Sequence, residues 1–291
     1  MPSAPLIVIV GPTASGKTGL AIEVAKALGG EIISADSRAI YKGTDIGTAK
    51  PTLAERQGVV HWGFDLVEPG ERFTVADFKA YAYDKITDIR SRGKVPIIAG
   101  GTGLYIDSVI FNYEFPPEAS LEQRKALEDL SVDQLHDYCT RNNIELPENK
   151  LNKRYVINTI LNNAHGYKRT AEPMDNSIIV GITTERDELR HRIRKRTEGF
   201  LSSGVLNEAM RLGAQYGWEV EAMTGNIYPL AHRLQLKLIG EEELVERYNV
   251  KEWRLAKRQI TWFKRNEHIK WLSLENAYTY IIHEFTVLNN P

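Results

Sequence analysis

A single cysteine, Cys139, stands in the 291 residues of this chain. One thiol excludes a disulfide scaffold and any cysteine-based zinc cluster, and it points to a reducing compartment. Long apolar runs are lacking too. The first, Leu6-Ile-Val-Ile-Val10, is five residues long with no basic flank before it. That is too short for the apolar part of a signal peptide, and no later run approaches the roughly 18 residues of a membrane span. A cytoplasmic protein with no membrane partner is the expectation. Excess charge is also absent: 37 Lys and Arg face 38 Asp and Glu, for a formal net charge of −1. This excludes a histone-like binder working by bulk positive charge, but not a nucleic-acid partner, because charge can be segregated on one face. There is no internal repeat and no low-complexity tract.

Four short apolar runs rich in β-branched residues stand out, at Leu6–Val10, Glu31–Ser34, Val95–Ala99 and Ser177–Ile182. A weaker fifth lies at His268–Leu272. Continuous rather than alternating runs suit strands covered on both faces. The expected fold class is therefore α/β, a parallel sheet flanked by helices. Thr74–Arg92 reads as a helix instead, with Val75, Phe78, Ala82 and Ile86 on one face and Gly93 as the stop. Between about Asn112 and Asn176 the pattern changes to polar helical segments at Leu121–Leu130, Val132–Arg141 and Arg154–Asn163. From Glu118 to Lys150 there are eight acids against four bases. The expected organisation is a catalytic core from residues 1–112 and 177–291, with a small helical insertion over 113–176. Thr184 is expected to cap a helix with Asp187 in its first turn, running to about Leu201. A final helix is expected over Val250–Asn266.

Gly11-Pro-Thr13-Ala14-Ser15-Gly16-Lys17-Thr18 matches the eight-residue phosphate-binding loop (P-loop) in its required context, after a buried strand and before a helix. Backbone N–H groups of a tight glycine turn and the helix N-terminus form an anion cradle. Lys17 supplies charge for a terminal phosphate, and the Thr18 hydroxyl is placed to ligate Mg2+. The loop does not say which diphosphate it holds. Val95–Ala99 ends in Gly100-Gly-Thr102-Gly-Leu-Tyr105, without the strand-end acid of motor ATPases. Asp36, after the second strand, is expected to face the phosphate loop across the carboxyl edge of the sheet. A carboxylate there serves as general base, metal ligand or turn cap. Thr102 converges on the same crevice as a hydroxyl donor.

Two stretches are basic. Arg190, Arg192, Arg194, Lys195 and Arg196 place five charges in seven residues. Lys251–Lys270 holds seven bases and two acids, interleaved with Trp253, Trp262 and Phe263. Such segments suit nucleic-acid backbones and unstacked bases. A solvated helix face with core tryptophans is the plainer alternative.

Together these residues resemble the tRNA dimethylallyltransferases, also called tRNA isopentenyltransferases. The resemblance runs through Gly11–Thr18, Ser34-Ala-Asp-Ser-Arg-Ala-Ile-Tyr-Lys-Gly-Thr-Asp-Ile-Gly-Thr-Ala-Lys-Pro51, His61, Val75-Ala-Asp-Phe78 and Gly100–Tyr105. It returns in Arg192-Ile-x-x-Arg196 and Ala256-Lys-Arg-Gln-Ile-Thr-Trp-Phe263. It implies transfer of a dimethylallyl group from dimethylallyl diphosphate to N6 of the adenosine 3′ of the anticodon, with Mg2+ and diphosphate release. By resemblance, Asp36 is the general base and Thr102 positions the amine or diphosphate. Lys17, Thr18 and Arg192 stabilise the leaving group, with Gly11, Thr13, Ala14, Ser15 and Gly16 around it. Asp36, Ser37, Tyr41, Thr102, Arg154, Lys257, Arg258, Gln259 and Trp262 would meet the tRNA anticodon stem-loop, and the protein would act as a monomer. The sequence departs from the family pattern at Ala39, at Leu151–Ile157 (where Arg154 alone matches), at Asn226–Pro229 and at Trp253. These departures lie where the family handles tRNA, and the diphosphate cradle is intact. The remaining readings are a small-molecule kinase, favoured by the loop alone, and an RNA-binding relative without catalysis.

Overall fold

The computed structural model describes residues 4–115, 120–147, 150–162, 168–225 and 227–289. Asn163, which was expected to end the third insertion helix, lies outside them. So do Glu118 and Glu148 of the acidic count, and Asn226 of the departing segment. The chain divides into two compact units, Met1–Ile110 with Pro173–Pro291, and Phe111–Glu172.

The larger unit begins with β1 (Leu6–Val10), α1 (Lys17–Leu28), β2 (Gly30–Ala35) and β3 (His61–Trp62), then α2 (Val75–Ser91), β4 (Val95–Gly100) and α3 (Gly103–Ile110). Every residue of β1 is fully buried. Ile7 and Ile9 pack with Ile32, Ile97, Val180 and the helix residues Leu20 and Val24. Leu6, Val8 and Val10 point the other way, so this strand is covered on both faces. α2 starts from a capping box. The Thr74 hydroxyl accepts from the Asp77 N–H, and the Asp77 carboxylate accepts from the Thr74 N–H at 2.7 Å. Gly93, at φ 68°, turns the chain out of the helix.

The smaller unit holds α4 (Leu121–Glu128), α5 (Val132–Arg141) and α6 (Lys153–Asn162). They pack around Leu127, Leu135, Cys139, Val156 and Ile157. Among the described residues it has no strand, only an isolated bridge between Glu114 and Lys168.

The chain then returns to the larger unit as β5 (Ser177–Ile182), α7 (Arg186–Ser202), α8 (Val205–Tyr216) and a short 3-10 turn at Glu221–Thr224. It ends with α9 (Tyr228–Gln235), α10 (Glu241–Phe263), β6 (Lys270–Leu272) and α11 (Leu274–Asn289). Two expectations are corrected here. Glu185, not Thr184, precedes α7, because the Thr183 N–H still bonds the Leu272 carbonyl at 2.8 Å and extends the sheet pairing past Ile182. The helix expected over Val250–Asn266 starts at Glu241 and is not the last, since α11 follows β6. Glu241, Glu242 and Glu243 open it, where acids favour the positive end of the helix dipole.

The six strands lie in the order β3-β2-β4-β1-β5-β6, and every pairing is parallel. All strands therefore end on one edge. β1 sits between β4 and β5, with Val10 opposite Gly100 and Gly181. The loop after β1 thus opens where the chain passes from one half of the sheet to the other, the place where α/β sheets bind ligands. Among the described residues no helix is long and apolar enough to cross a membrane.

Candidate active site at the carboxyl edge of the sheet

The phosphate loop is built by backbone geometry that its residues permit. Gly16 caps α1 at φ 91°, a left-handed conformation, and a Cβ there would fall 2.7 Å from the Leu274 side chain. Both strain and space require glycine. Ala14 also takes positive φ, at 61°. The Ser15 N–H returns to the Pro12 carbonyl at 3.2 Å, closing the turn. Lys17 reaches back over the loop, its Nζ donating to the same carbonyl at 3.2 Å. Burial lowers its pKa from 10.5 to about 8. The negative charges of Asp36 and Glu252 oppose that fall, and Arg196 adds to it. The Thr18 side chain stands exposed on the first turn, whereas Ser15 Oγ is fully buried with no partner.

Asp36 and Thr102 leave the ends of β2 and β4, adjacent strands in register up to Ala35 opposite Gly100. The Thr102 N–H bonds the Ala35 carbonyl at 3.1 Å, and Thr102 Oγ1 accepts from the Ser37 N–H at 3.0 Å. One Asp36 oxygen accepts from the Arg38 N–H at 2.8 Å, which fixes the carboxylate on its own turn. Arg38 is tied down in turn, through the Glu221 carbonyl at 2.8 Å and the Thr224 hydroxyl at 3.1 Å.

Two helices wall the crevice from the other side. From α7, Arg192 Nη1 donates to the Ser15 carbonyl at 3.2 Å while its Nε pairs with Glu188. Arg196, one turn on, bonds both the Thr13 hydroxyl and Glu252. From α10, the nearly buried Glu252 accepts from Thr13 Oγ1 at 3.0 Å. Gln259, two turns later, accepts from the Thr13 N–H at 2.7 Å and donates to the Gly101 carbonyl at 3.0 Å. Trp262 donates to Asp107 at 2.7 Å and lies where a Cβ on Gly103 would be, 2.2 Å from the indole.

Of the residues singled out in the sequence, the larger unit brings Gly11–Thr18, Asp36, Ser37, Thr102, Arg192, Gln259 and Trp262 to this one edge. Tyr41 does not reach its surface: it is 2% exposed, in a core with Ile40 and Ala222. Lys257 and Arg258 are exposed on α10. Arg154 is exposed at the start of α6, in the smaller unit. Trp253 packs against the cluster of Leu189, Ile193 and Ala256, as Ala14 does, and carries Arg190 and Arg186 on its ring, at 4.7 and 5.5 Å from the centroid. Glu252 and the contacts of Arg196 with the loop were not foreseen. The only signal was an acid inside a basic stretch, on the helix face that also carries Ala256 and Gln259.

Comparison with known proteins identifies the family. The family profile described as IPP transferase matches residues 39–266, and that of isopentenyl transferase matches residues 4–62. A tRNA dimethylallyltransferase of Acetivibrio thermocellus is 39% identical over 92% of this chain and 91% of its own length. One from Staphylococcus aureus is 40% identical over 93% of each. The crystal structure of the tRNA isopentenylpyrophosphate transferase of Bacillus halodurans aligns with a TM-score of 0.76 at 32% identity, covering 99% of this chain and 98% of that one. Matched by the family profile over most of its length, and by relatives at this identity over nearly all of it, the chain belongs to the IPP transferase family, that of the tRNA dimethylallyltransferases.

Proposed function

We propose that this chain transfers a dimethylallyl group from dimethylallyl diphosphate to N6 of the adenosine 3′ of a tRNA anticodon. The observation that carries the reading is Asp36 fixed on its turn at the strand edge that bears the phosphate loop, near enough for its charge to act on Lys17. Such a crevice needs an anionic leaving group on one side and a proton-bearing nucleophile on the other. In the reaction the allylic C–O bond breaks and an N6–C bond forms. The N6 proton passes to the Asp36 carboxylate, and the diphosphate departs with the bonding pair. The site must therefore stabilise charge developing on the leaving oxygen. Lys17, the loop N–H groups and Arg192 serve that end, and Thr102 orients the amine. The adenine leaves the anticodon-loop stack to enter the crevice.

The residues present fit Mg2+ as the accompanying ion. Magnesium retains several waters and takes few protein ligands beside phosphate oxygens, and Thr18 offers an exposed hydroxyl on the first turn of α1. Among the described residues no cluster of three or more His, Cys, Asp or Glu could hold a metal by itself, so the diphosphate would complete the site. When bound, the ion neutralises the charge of the departing diphosphate.

The direct test is incubation of the protein with radiolabelled dimethylallyl diphosphate, Mg2+ and unmodified tRNA, followed by nucleoside analysis. Label on N6-dimethylallyladenosine is the expected result. Absence of label from every tRNA with folded protein refutes the proposal.

A further inference from the structure

Gln259 uses both ends of its amide, in opposite senses, on two different strand ends. Oε1 accepts from the Thr13 N–H at 2.7 Å, and Nε2 donates to the Gly101 carbonyl at 3.0 Å. A backbone N–H can only donate and a carbonyl can only accept, so a carboxylate or an ammonium in its place satisfies one end at the expense of the other. The fit is close. A Cβ on Gly101 would lie 2.3 Å from Nε2, so a glycine there is what lets the amide in.

The helix that carries Gln259 is itself fixed against the same edge. Two turns earlier Glu252 accepts from the Thr13 hydroxyl and pairs with Arg196, and three residues later Trp262 bonds Asp107 of α3. From Gly101 the hydrogen bonds run on without a gap to the carboxylate side. The Thr102 N–H bonds the Ala35 carbonyl, the Ser37 N–H bonds Thr102 Oγ1, and the Arg38 N–H bonds Asp36. Beyond the strand ends, where the β1–β4 and β4–β2 pairing stops at Gly100, one side-chain amide thereby bridges the phosphate loop to the Asp36 turn.

We propose that Gln259 is a positioning residue, a strut that sets the phosphate loop at a fixed distance from the Asp36–Thr102 turn and so fixes the gap the transferred group must cross. This rests on the functional reading above and deepens it, giving Gln259 a role other than the tRNA contact the family resemblance implies. Alkyl transfer requires nucleophile and allylic carbon within about 3–3.5 Å and in line, and a displacement of about 1 Å costs on the order of 100-fold in rate. Neither the diphosphate cradle nor the outer face of α10 need change for that loss to occur.

The test is single-turnover transfer with both substrates saturating, in wild type, Gln259→Met and Gly101→Ala, with diphosphate and tRNA affinities measured separately. Gln259→Met keeps the length without either hydrogen bond. Gly101→Ala displaces the amide while leaving Gln259 in place. The expected result is a rate roughly 10- to 100-fold lower in each variant, with both affinities within about threefold of wild type. In the double variant the two losses should not add, because each removes the same strut. A rate within twofold of wild type in either folded variant overturns the proposal. So does a diphosphate affinity that falls in step with the rate, which would make Gln259 part of the cradle. Should Gln259→Met fail to fold, Gly101→Ala decides alone. Wild type that transfers nothing refutes the functional reading instead. The strut is then judged by hydrogen exchange at the Thr13 amide, which must quicken in the folded variants and overturns the proposal if it does not.

Discussion

In the proposed diphosphate cradle, the protonation state of Lys17 governs the pH range over which the anion should be held. Burial brings its pKa from 10.5 to about 8, against the pull of Asp36 and Glu252 and with the push of Arg196. A bound diphosphate oxygen supplies the counter-charge that solvent no longer provides, so the ammonium form is favoured in the complex. Because the free-state value is lowered, neutral Lys17 accumulates above about pH 8 and must take up a proton on binding. Affinity therefore falls as pH rises, by roughly tenfold per unit above that point. If binding restores the ordinary value, the full loss is about 300-fold. Calorimetric titration with inorganic diphosphate at constant ionic strength, from about pH 7.5 to about pH 9.5, reads this directly. Lys17→Arg, permanently charged, is the control: it carries only the pH dependence of the ligand, whose own last proton leaves in this range, and the wild-type fall is read relative to it. Stability moves the other way. Between about pH 8 and 10.5 the unfolded chain keeps a proton that the folded protein has lost, so the unliganded protein gains stability as pH rises through that window. Parallel affinity curves for wild type and Lys17→Arg would refute the reasoning, since a residue that titrates in one protein only cannot give the same profile in both.

Asp36→Asn keeps an oxygen for the Arg38 N–H but cannot accept the N6 proton. Transfer should fall by about 100- to 10,000-fold with tRNA affinity nearly unchanged, and an active variant removes the general-base assignment. Binding of tRNA, followed by filter retention, should weaken steeply with salt. With about five phosphates contacted, a fourfold rise in salt costs on the order of 100-fold, and a flat titration excludes a basic binding face. At the opposite edge of the sheet, Glu31 is buried and hydrogen-bonded by Arg92, Lys94 and Trp62. The Arg92 bonds, with help from the other two and against burial, hold its pKa down to about 2. Its stabilisation is present above the ordinary carboxylate value and is lost as pH falls towards about 2. Glu31→Gln should cost about 1–3 kcal/mol at neutral pH in urea unfolding, below the figure for a wholly buried pair because Arg92 and Lys94 are 37% and 43% exposed. The variant should also lose less of its stability in acid than wild type.

What could be read from the sequence follows from where the physical cause lies. β1 and β5 were legible because a strand covered on both faces must be apolar at every position, and Leu6–Val10 and Ser177–Ile182 are nearly so. β3 was not, being two residues at the edge, His61 and Trp62, half-buried and paired on one side alone. α8 was missed because Gly204, at φ 90°, separates it from α7 where a reading by periodicity stops at the end of one helix. At the site, Lys17, Asp36 and Thr102 could be placed together, since parallel strands end on one edge whatever their order. The bond between Thr13 and Glu252 spans 239 residues and depends on how α10 is laid over that edge, which no local pattern encodes.

α10 divides the basic C-terminal stretch between two faces. Glu252, Ala256, Gln259 and Phe263 recur at helical spacing and turn inward. Two are apolar, one is a neutral amide and one is an acid neutralised by Arg196. Arg254, Lys257, Arg258, Lys264 and Arg265 turn outward and are exposed. α7 divides in the same way, with Arg192 and Arg196 spent on the phosphate loop while Arg190 and Arg194 stay exposed. A count of charges along the chain merges these faces and gives −1. Separated by helical period, the same residues give an inner face bonded to the loop and an outer face that carries exposed positive charge. A substitution on one face should leave the other's property intact: charge removal at Lys257 or Arg258 should lower tRNA affinity and its salt dependence without changing the affinity for diphosphate.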